Sequence, residues 1–469
     1  MEEPAHDTEA GEKLRVAVVG SGPAGFYAAS HVLARGAEVD MYERLPTPWG
    51  LVRLGVAPDH PKIKAVTRVF ERTAAMPGFR FFGNVEIGRD LSRDDLRDHY
   101  HAVVWSVGAQ LDRRMNIPGE DLPGSLSATA FVAWYNGHPD FRHLEVDLNT
   151  ERIVVVGNGN VAVDCARMLA LTHEDLIGTD TVNHAIHAIT ESPVKEIVIL
   201  GRRGPAQAAF TNPELLELGE LVDADVAVDP AEIELDPASA AALEAEGSAT
   251  AKRNVDVLRE YAAREPSGKP RTVRLRFCAS PVEILGDAKV EQIVIQKNRL
   301  EADDSGRIRP VPTGETEVLD CGVVLRSVGY RGQPLEGVPF DHDHAVIPNL
   351  EGRVVDEDGA VVPGEYCAGW IKRGPSGVIG TNKKDATESC ALLLEDWDRG
   401  ALATPASPDP AAIEQLVFER APGAVEYAGW EAIDSHERTT GEPHGRPRVK
   451  LCSWDELLHH GRRSPVAGD

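Results

Sequence analysis

Cysteine is sparse in this 469-residue chain, and none of it is clustered: Cys165, Cys278, Cys321, Cys367, Cys390 and Cys452 are scattered without a single C-x-x-C. That pattern encodes no local zinc site, iron–sulfur cluster or redox-active dithiol, each of which needs closely spaced thiolates, and no metal site is expected. Long apolar runs are also missing. Nothing approaches the roughly 18 residues that a spanning helix requires, so no membrane insertion is expected. Basic residues are in deficit, 49 Lys+Arg against 75 Asp+Glu, for a formal charge of −26. A field of that sign repels nucleic acid and anionic membranes alike. Residues 1–12 are acidic and lack an apolar centre, which reads as a loose leader rather than a signal or transit peptide, and a cytoplasmic location is expected. Hydrophobic residues make up 42% and charged residues 26%, ordinary for a soluble protein, and the length suits two or three domains.

The first organised stretch runs from Leu14 to Glu43. An apolar β-branched run enters a glycine turn (Gly20, Gly22, Gly25), an Ala-rich helical segment follows, and a second alternating strand ends on an acid. In a dinucleotide-binding unit Gly20 permits the tight turn, Gly22 lets backbone approach a pyrophosphate, and Gly25 lets the helix lie close to the strand. The helix N-terminus offers unpaired N–H groups and a positive dipole end. Glu43 falls where a carboxylate accepts hydrogen bonds from the adenosine ribose.

A second copy begins at Glu151. Gly157 and Gly159 take the first two glycine roles and Ala162 the third, and a helical run from Val163 to Ala170 follows. The next strand is delayed by a polar stretch, residues 172–193, read as an inserted helical hairpin, and it ends in Gly201-Arg202-Arg203 rather than on an acid. A carboxylate there would repel a 2′-phosphate, whereas two arginines hold one through charge-assisted hydrogen bonds. The first unit is therefore FAD-like and the second NADP-like. A fainter repeat links the runs ending Ser106-Val-Gly108 and Ser327-Val-Gly329. The expected architecture is α/β, with two Rossmann-like dinucleotide-binding domains. The FAD-binding domain is discontinuous, residues 1–112 and 327–469, interrupted by an NADP-binding domain at 113–326.

A chain that holds both cofactors most simply passes a hydride from nicotinamide to flavin, with no protein nucleophile. Without a dithiol or cluster of its own, the natural next acceptor is a separate one-electron carrier. The block from Tyr42 to Lys64, together with Asn116–Asp121, Gly157–Asp164, Gly201–Ala206 and Gly369–Asn382, resembles the ferredoxin–NADP reductases of the adrenodoxin reductase type over most of the chain. The resemblance implies non-covalent FAD, oxidation of NADPH and reduction of a ferredoxin or similar iron–sulfur protein that often feeds a cytochrome P450. It places Ala24, Glu43, Leu51 and Val85 on the nucleotide side of FAD, and Trp370, Gly377, Val378 and Ile379 at the isoalloxazine ring. For NADP it implies Arg113, Asn158, Gly159, Asn160, Val161, Arg202, Arg203, Glu214 and Gly377.

Three further residues are candidates for tuning. Glu214 and Glu217 stand at i, i+3 behind Pro213 and share a helix face; Glu214 is expected to accept from adenosine, and Glu217 to lie near His60 at the flavin. His60, in the Pro58-Asp-His-Pro61 turn, is a titrating group placed to adjust nicotinamide binding or shuttle a proton. Asp164, seven residues past Gly157, is expected to support the same region. Between Glu214 and Glu260 there are 13 acids against three basic residues, which reads as solubilising surface. Docking of an acidic carrier then needs a local basic patch, from Arg202, Arg203, Lys372, Arg373, Lys383 and Lys384. An NADPH-dependent quinone reductase or diaphorase, and a nicotinamide-binding redox sensor, stand as alternatives.

Overall fold

The structure, a computed structural model, describes residues 13–377 and 379–462. The leader reading of residues 1–12 and the flavin contact expected of Val378 therefore fall outside the described residues.

Two parallel sheets organise the chain. In the first, β1 (Arg15–Val19) is followed by helix α1 (Pro23–Leu33), β2 (Glu38–Glu43), β3 (Phe79–Gly83) and β4 (Ala102–Trp105). β1 pairs in parallel with both β2 and β4, and β2 with β3. The later strand Val361–Cys367 joins beside β4, and short antiparallel strands finish both edges, giving eight strands. Alternation along these strands feeds two separate cores. Val16, Val18, Val39, Met41 and Val104 face the cluster under α1, while Ala17, Val19, Tyr42, Val103 and Trp105 face the opposite one. Burial on both faces explains why β1 and β4 read as unbroken apolar runs rather than alternating ones.

The second sheet repeats the plan with six parallel strands. Its centre holds β5 (Arg152–Val156), helix α2 (Asn160–Ala170), β6 (Glu196–Leu200), helix α3 (Asn212–Leu218) and β7 (Val323–Arg326). β7 and β6 flank β5. The stretch expected to be a helical hairpin holds two short helices, His173–Ile177 and Asn183–Thr190. The acidic span contains the exposed helix Pro237–Glu246 and the half-buried helix Ala249–Ala262. A three-stranded antiparallel sheet from Ala279 to Asp320 covers one side.

The chain leaves the first sheet through Leu111–Asp112 and returns through Tyr330–Arg331, and these two crossings pair antiparallel with each other. The segment after residue 425 then straps the two halves together. Lys450 donates to the Arg53 carbonyl at 3.1 Å and pairs with Asp180 of the second half at 3.1 Å. Lys64 meets the same carboxylate at 2.7 Å. Burial alone would raise the Asp180 carboxyl, but Lys450 and Lys64 hold it well below the usual range. Arg446 donates to the carbonyls of Thr179 and Thr181.

At the root of the strap, Arg53 forms a two-bond fork on Glu437, 2.8 and 2.6 Å, with Arg448 at 3.1 Å and the Leu451 N–H at 2.9 Å on the same carboxylate. Glu437 is fully buried. Removing one member of such a set strands buried charge at a cost of about 3–5 kcal/mol. Glu437→Ala is therefore expected to lower the unfolding free energy by that amount, measured by urea titration; a loss below about 1 kcal/mol would place the anchoring of the strap elsewhere.

Candidate functional site

Each sheet presents a glycine turn built the same way. The Gly20 N–H donates to the Tyr42 carbonyl at 2.8 Å and the Gly157 N–H to the Leu200 carbonyl at 2.9 Å. A Cβ on Gly20 would stand 2.6 Å from the Ser106 carbonyl oxygen, and one on Gly157 2.1 Å from that of Ser327; both glycines also have positive φ. The Ser-Val-Gly repeat is thus the strand end against which each first glycine lies. Gly25 is equally confined, since its Cβ would meet the Gly20 oxygen at 2.1 Å. Gly22 and Gly159 are the exceptions: a Cβ at either would meet nothing within 4 Å. Each is the N-cap of its helix, so both helix starts have room beside the cap, the arrangement that admits a phosphate.

Around the first turn lies a groove of about 290 Å³ lined by Gly20, Tyr42, Glu43, Val85, Gly108 and neighbours. Glu43 is already fixed there, accepting from the Ser21 N–H at 3.0 Å, the Ser21 hydroxyl at 2.7 Å and the Leu45 N–H at 3.1 Å. Leu51 opens a short helix and is exposed; Gly50 before it lies against Gly22, its Cβ position 2.9 Å from the Gly22 Cα. Gly369 abuts Ala24, and its N–H donates to buried Asp385, which Lys372 pairs at 3.0 Å. Trp370 follows, its ring 5.1 Å from that of Tyr330, with the indole N–H buried and unpartnered. Gly377 has positive φ and is exposed, and Ile379 begins helix α4 (Ile379–Asp398).

The second turn is basic where the first is acidic. Neither the Arg202 nor the Arg203 side chain has an ion pair or hydrogen bond among the described residues. Burial, then Arg202 and Arg309, lower the pKa of Arg203, the mark of cations facing one another without an anion. Asn158 leaves its buried amide nitrogen unpartnered, and Asn160 accepts from the Thr211 N–H at 2.8 Å. Val161 is half-buried behind the turn, and Arg113 is exposed on the crossing, its N–H on the Gly329 carbonyl at 2.8 Å. Open glycine faces, unpartnered donors and an acid opposed to an arginine pair fit one dinucleotide with free ribose hydroxyls and one with a 2′-phosphate.

Between the turns the structure brings His60 and Glu217 together, Nε2 to Oε2 at 2.7 Å. Asp164 pairs with Arg167 at 2.7 Å, Arg167 also pairs with Asp59, and Arg167 Nε lies 3.8 Å from Glu217. Glu214 accepts from the Thr211 hydroxyl and acts electrostatically on Asp164 and Arg167. It therefore acts on this cluster from the start of α3, and it makes no hydrogen bond or ion pair with Arg202 or Arg203 among the described residues. Burial pushes the Asp164 carboxyl up to about 7, with Glu214 and Glu217 adding to the rise and His60 opposing it. Sequence reasoning missed Arg167 and Asp59. Arg167 stands at i+3 from Asp164 on one helix face, a local signal, but Asp59 reveals its partner only in three dimensions.

The six cysteines are unpaired, and burial raises the thiols of Cys165, Cys321 and Cys390. Among the described residues no group of three or more His, Cys, Asp or Glu is arranged to hold a metal ion, and no helix is long and apolar enough to cross a membrane.

Two parallel sheets, each with an uncapped glycine turn, define the class: a two-dinucleotide flavoprotein fold, and residues 14–190 match the family described as pyridine nucleotide-disulphide oxidoreductase. The chain is 49% identical over 458 residues to the NADPH-ferredoxin reductase FprA of Mycobacterium tuberculosis, covering 95% of this chain and 98% of that protein. It is 43% identical to the mitochondrial NADPH:adrenodoxin oxidoreductase of Homo sapiens, covering 95% and 91%. The solved structure of Mycobacterium tuberculosis FprA in complex with NADPH superposes with a TM-score of 0.91 at 48% identity, covering 96% of this chain and all of that one. The chain belongs to the adrenodoxin reductase-type NADPH:ferredoxin reductases.

The raised Asp164 carboxyl has a consequence for stability. Its ordinary value is 3.8, so between about pH 4 and 7 the folded protein keeps a proton that the unfolded chain has released, and stability falls as pH rises through that window. Asp164→Asn, which cannot ionise, is expected to raise Tm more at pH 8 than at pH 5. Equal changes at both would show that the carboxyl does not titrate between them.

Proposed function

We propose that this protein is an FAD-dependent NADPH oxidoreductase that delivers electrons one at a time to a ferredoxin-type iron–sulfur carrier. The observation that carries the reading is the contrast between two turns of the same construction, one ending on Glu43 and the other on Arg202-Arg203. When bound, the two cofactors supply the redox chemistry, nicotinamide giving two electrons to a flavin that releases them singly. Glu43, held by Ser21, holds the FAD ribose; Gly22 and the open end of α1 take its pyrophosphate; Val85 and Ala24 pack on its nucleotide half. Trp370, Gly377 and Ile379 border the ring. Asn158, Gly159, Asn160 and Val161 receive the NADP pyrophosphate, Arg202 and Arg203 its 2′-phosphate, and Arg113, Glu214 and Gly377 the remainder. His60, Glu217 and Asp164 tune the space between by holding and moving protons.

In this reading the FAD-binding domain comprises residues 1–112 and 327–469, and the NADP-binding domain 113–326. The paired crossings Leu111–Asp112 and Tyr330–Arg331 support those limits. The relatives named above are an NADPH-ferredoxin reductase and an NADPH:adrenodoxin oxidoreductase, which supports an iron–sulfur carrier here, feeding a cytochrome P450 or similar acceptor in the cytoplasm. Lys372 and Arg373 are engaged by Asp385, Ser389 and Asn382. That leaves Lys383 and Lys384, exposed on the first turns of α4 and with Lys384 only loosely paired to Glu388 at 3.7 Å, as the basic patch nearest the flavin loop.

Stopped-flow reduction of the flavin tests the first part. NADPH is expected to bleach it faster than NADH, and Arg202→Ala/Arg203→Ala to erase roughly two decades of that preference, the worth of two solvent-facing charge-assisted hydrogen bonds; equal rates with both nucleotides in the unaltered protein would refute the assignment. For the carrier, Lys383→Gln/Lys384→Gln is expected to raise the KM for ferredoxin several-fold at low salt and to leave ferricyanide reduction unchanged. Turnover with ferredoxin that is indifferent to salt and to both substitutions would remove the patch.

A further inference from the structure

Arg167 and Asp59 belong to neither glycine turn, yet they sit at the junction of the two halves. Arg167 projects from α2 and its side chain is only 3% exposed. One terminal nitrogen of its guanidinium pairs with Asp59, in the loop after Leu51–Leu54, and the other with Asp164 on its own helix at 2.7 Å. Its Nε lies 3.8 Å from Glu217 on α3, beyond hydrogen-bond reach, and has no other partner. His60, the residue after Asp59, closes the ring on Glu217 at 2.7 Å. Two successive residues of a first-half loop are thereby fastened to two different helices of the second half.

The charges in this ring do not balance. Asp59, Asp164 and Glu217 converge on one fixed cation, with Glu214 acting from the start of α3. The other titratable groups that face Asp164 are Cys165 on its own helix, Tyr135 of the helix Ala128–Asn136, and Tyr330 of the returning crossing, all held neutral because burial raises their pKa. His60 is the remaining group able to carry positive charge. The cluster is therefore short of cations, and a proton must be shared within it at neutral pH.

We propose that Arg167 is a positioning residue: through Asp59 it locks the His60 loop of the flavin half onto the nicotinamide half, and through Asp164 and Glu217 it fixes where the cluster keeps its proton. This deepens the NADPH reductase reading and rests on it for the names of the two halves. Lysine keeps the charge at this position but loses the fork, whereas methionine keeps the volume and loses both.

The test uses the FAD-loaded protein with Arg167→Met, Arg167→Lys and Asp59→Asn. The Asp164 carboxyl is followed by carbon NMR of labelled aspartate across pH 5–9, with Asp164→Asn used to assign its resonance. Removing the cation is expected to move the Asp164 midpoint up from about 7, by about one pH unit or more, and removing the Asp59 charge to move it down. Arg167→Lys is expected to restore most of the midpoint while flavin reduction by NADPH stays several-fold slow, because the loop is no longer forked to the helix. A purely structural role predicts loss of Tm in all three variants with the midpoint unmoved. An unmoved midpoint, or shifts of the same sign in Arg167→Met and Asp59→Asn, overturns the proposal. If Arg167→Met does not fold, Asp59→Asn and Arg167→Lys decide it by the same two readouts. A starting protein whose flavin NADPH fails to reduce would overturn the functional reading instead, with the midpoint shifts still deciding whether Arg167 sets the proton.

Discussion

The structure depends on a backbone contact that only glycine permits. Where β1 ends, Gly20 lies so close to the Ser106 carbonyl that a methyl group would stand 2.6 Å from it, and Gly157 repeats this against Ser327 at 2.1 Å. With the turn pressed on the neighbouring strand, the following helix starts directly above the sheet. The helix then starts behind a second glycine whose Cβ position is open. Confinement at the first glycine and openness at the second are one geometric fact, because the chain turns tightly on one side and must clear the other. Each half applies that fact once, and the two strand ends carrying the serines lead directly into the connections between halves.

On this shared scaffold the two sites differ by charge. Glu43 is held by hydroxyl and backbone donors of its own turn, so it is an oriented acceptor before any ligand arrives. Arg202 and Arg203 are the reverse, two cations with no internal anion among the described residues, which leaves their field for an incoming phosphate. That contrast was legible in the sequence because both features sit at a fixed offset from a glycine turn, and so was the fold of two parallel sheets. The meeting of His60 with Glu217 was foreseeable only as proximity. The Arg167–Asp59 pair and the Arg53–Glu437 fork were not legible at all. Their partners are far apart in the chain, and each looks locally like an ordinary charged residue beside a helix or turn. Glu214 shows the same limit: its position on a helix was readable, but its place beside Asp164 and Arg167 was not.

The acidic surplus also takes on a different meaning. With a formal charge of −26, carboxylates outnumber cations, and Arg53, Lys64, Arg446, Arg448 and Lys450 are consumed by the contacts that bind the two halves. Buried ion pairs contribute little net stability, since desolvation offsets most of their attraction, but an unmatched arrangement is strongly penalised, so they favour one register over its neighbours. Here the register is the placement of the His60 loop against α2 and α3. Lys64 ties the helix following that loop to Asp180 on one flank while Arg167 ties Asp59 on the other, so the loop is fixed from both sides by charges that belong to the opposite half. The placement of the His60 loop is thus set by the fold itself, the kind of positioning on which electron transfer depends where no protein nucleophile takes part.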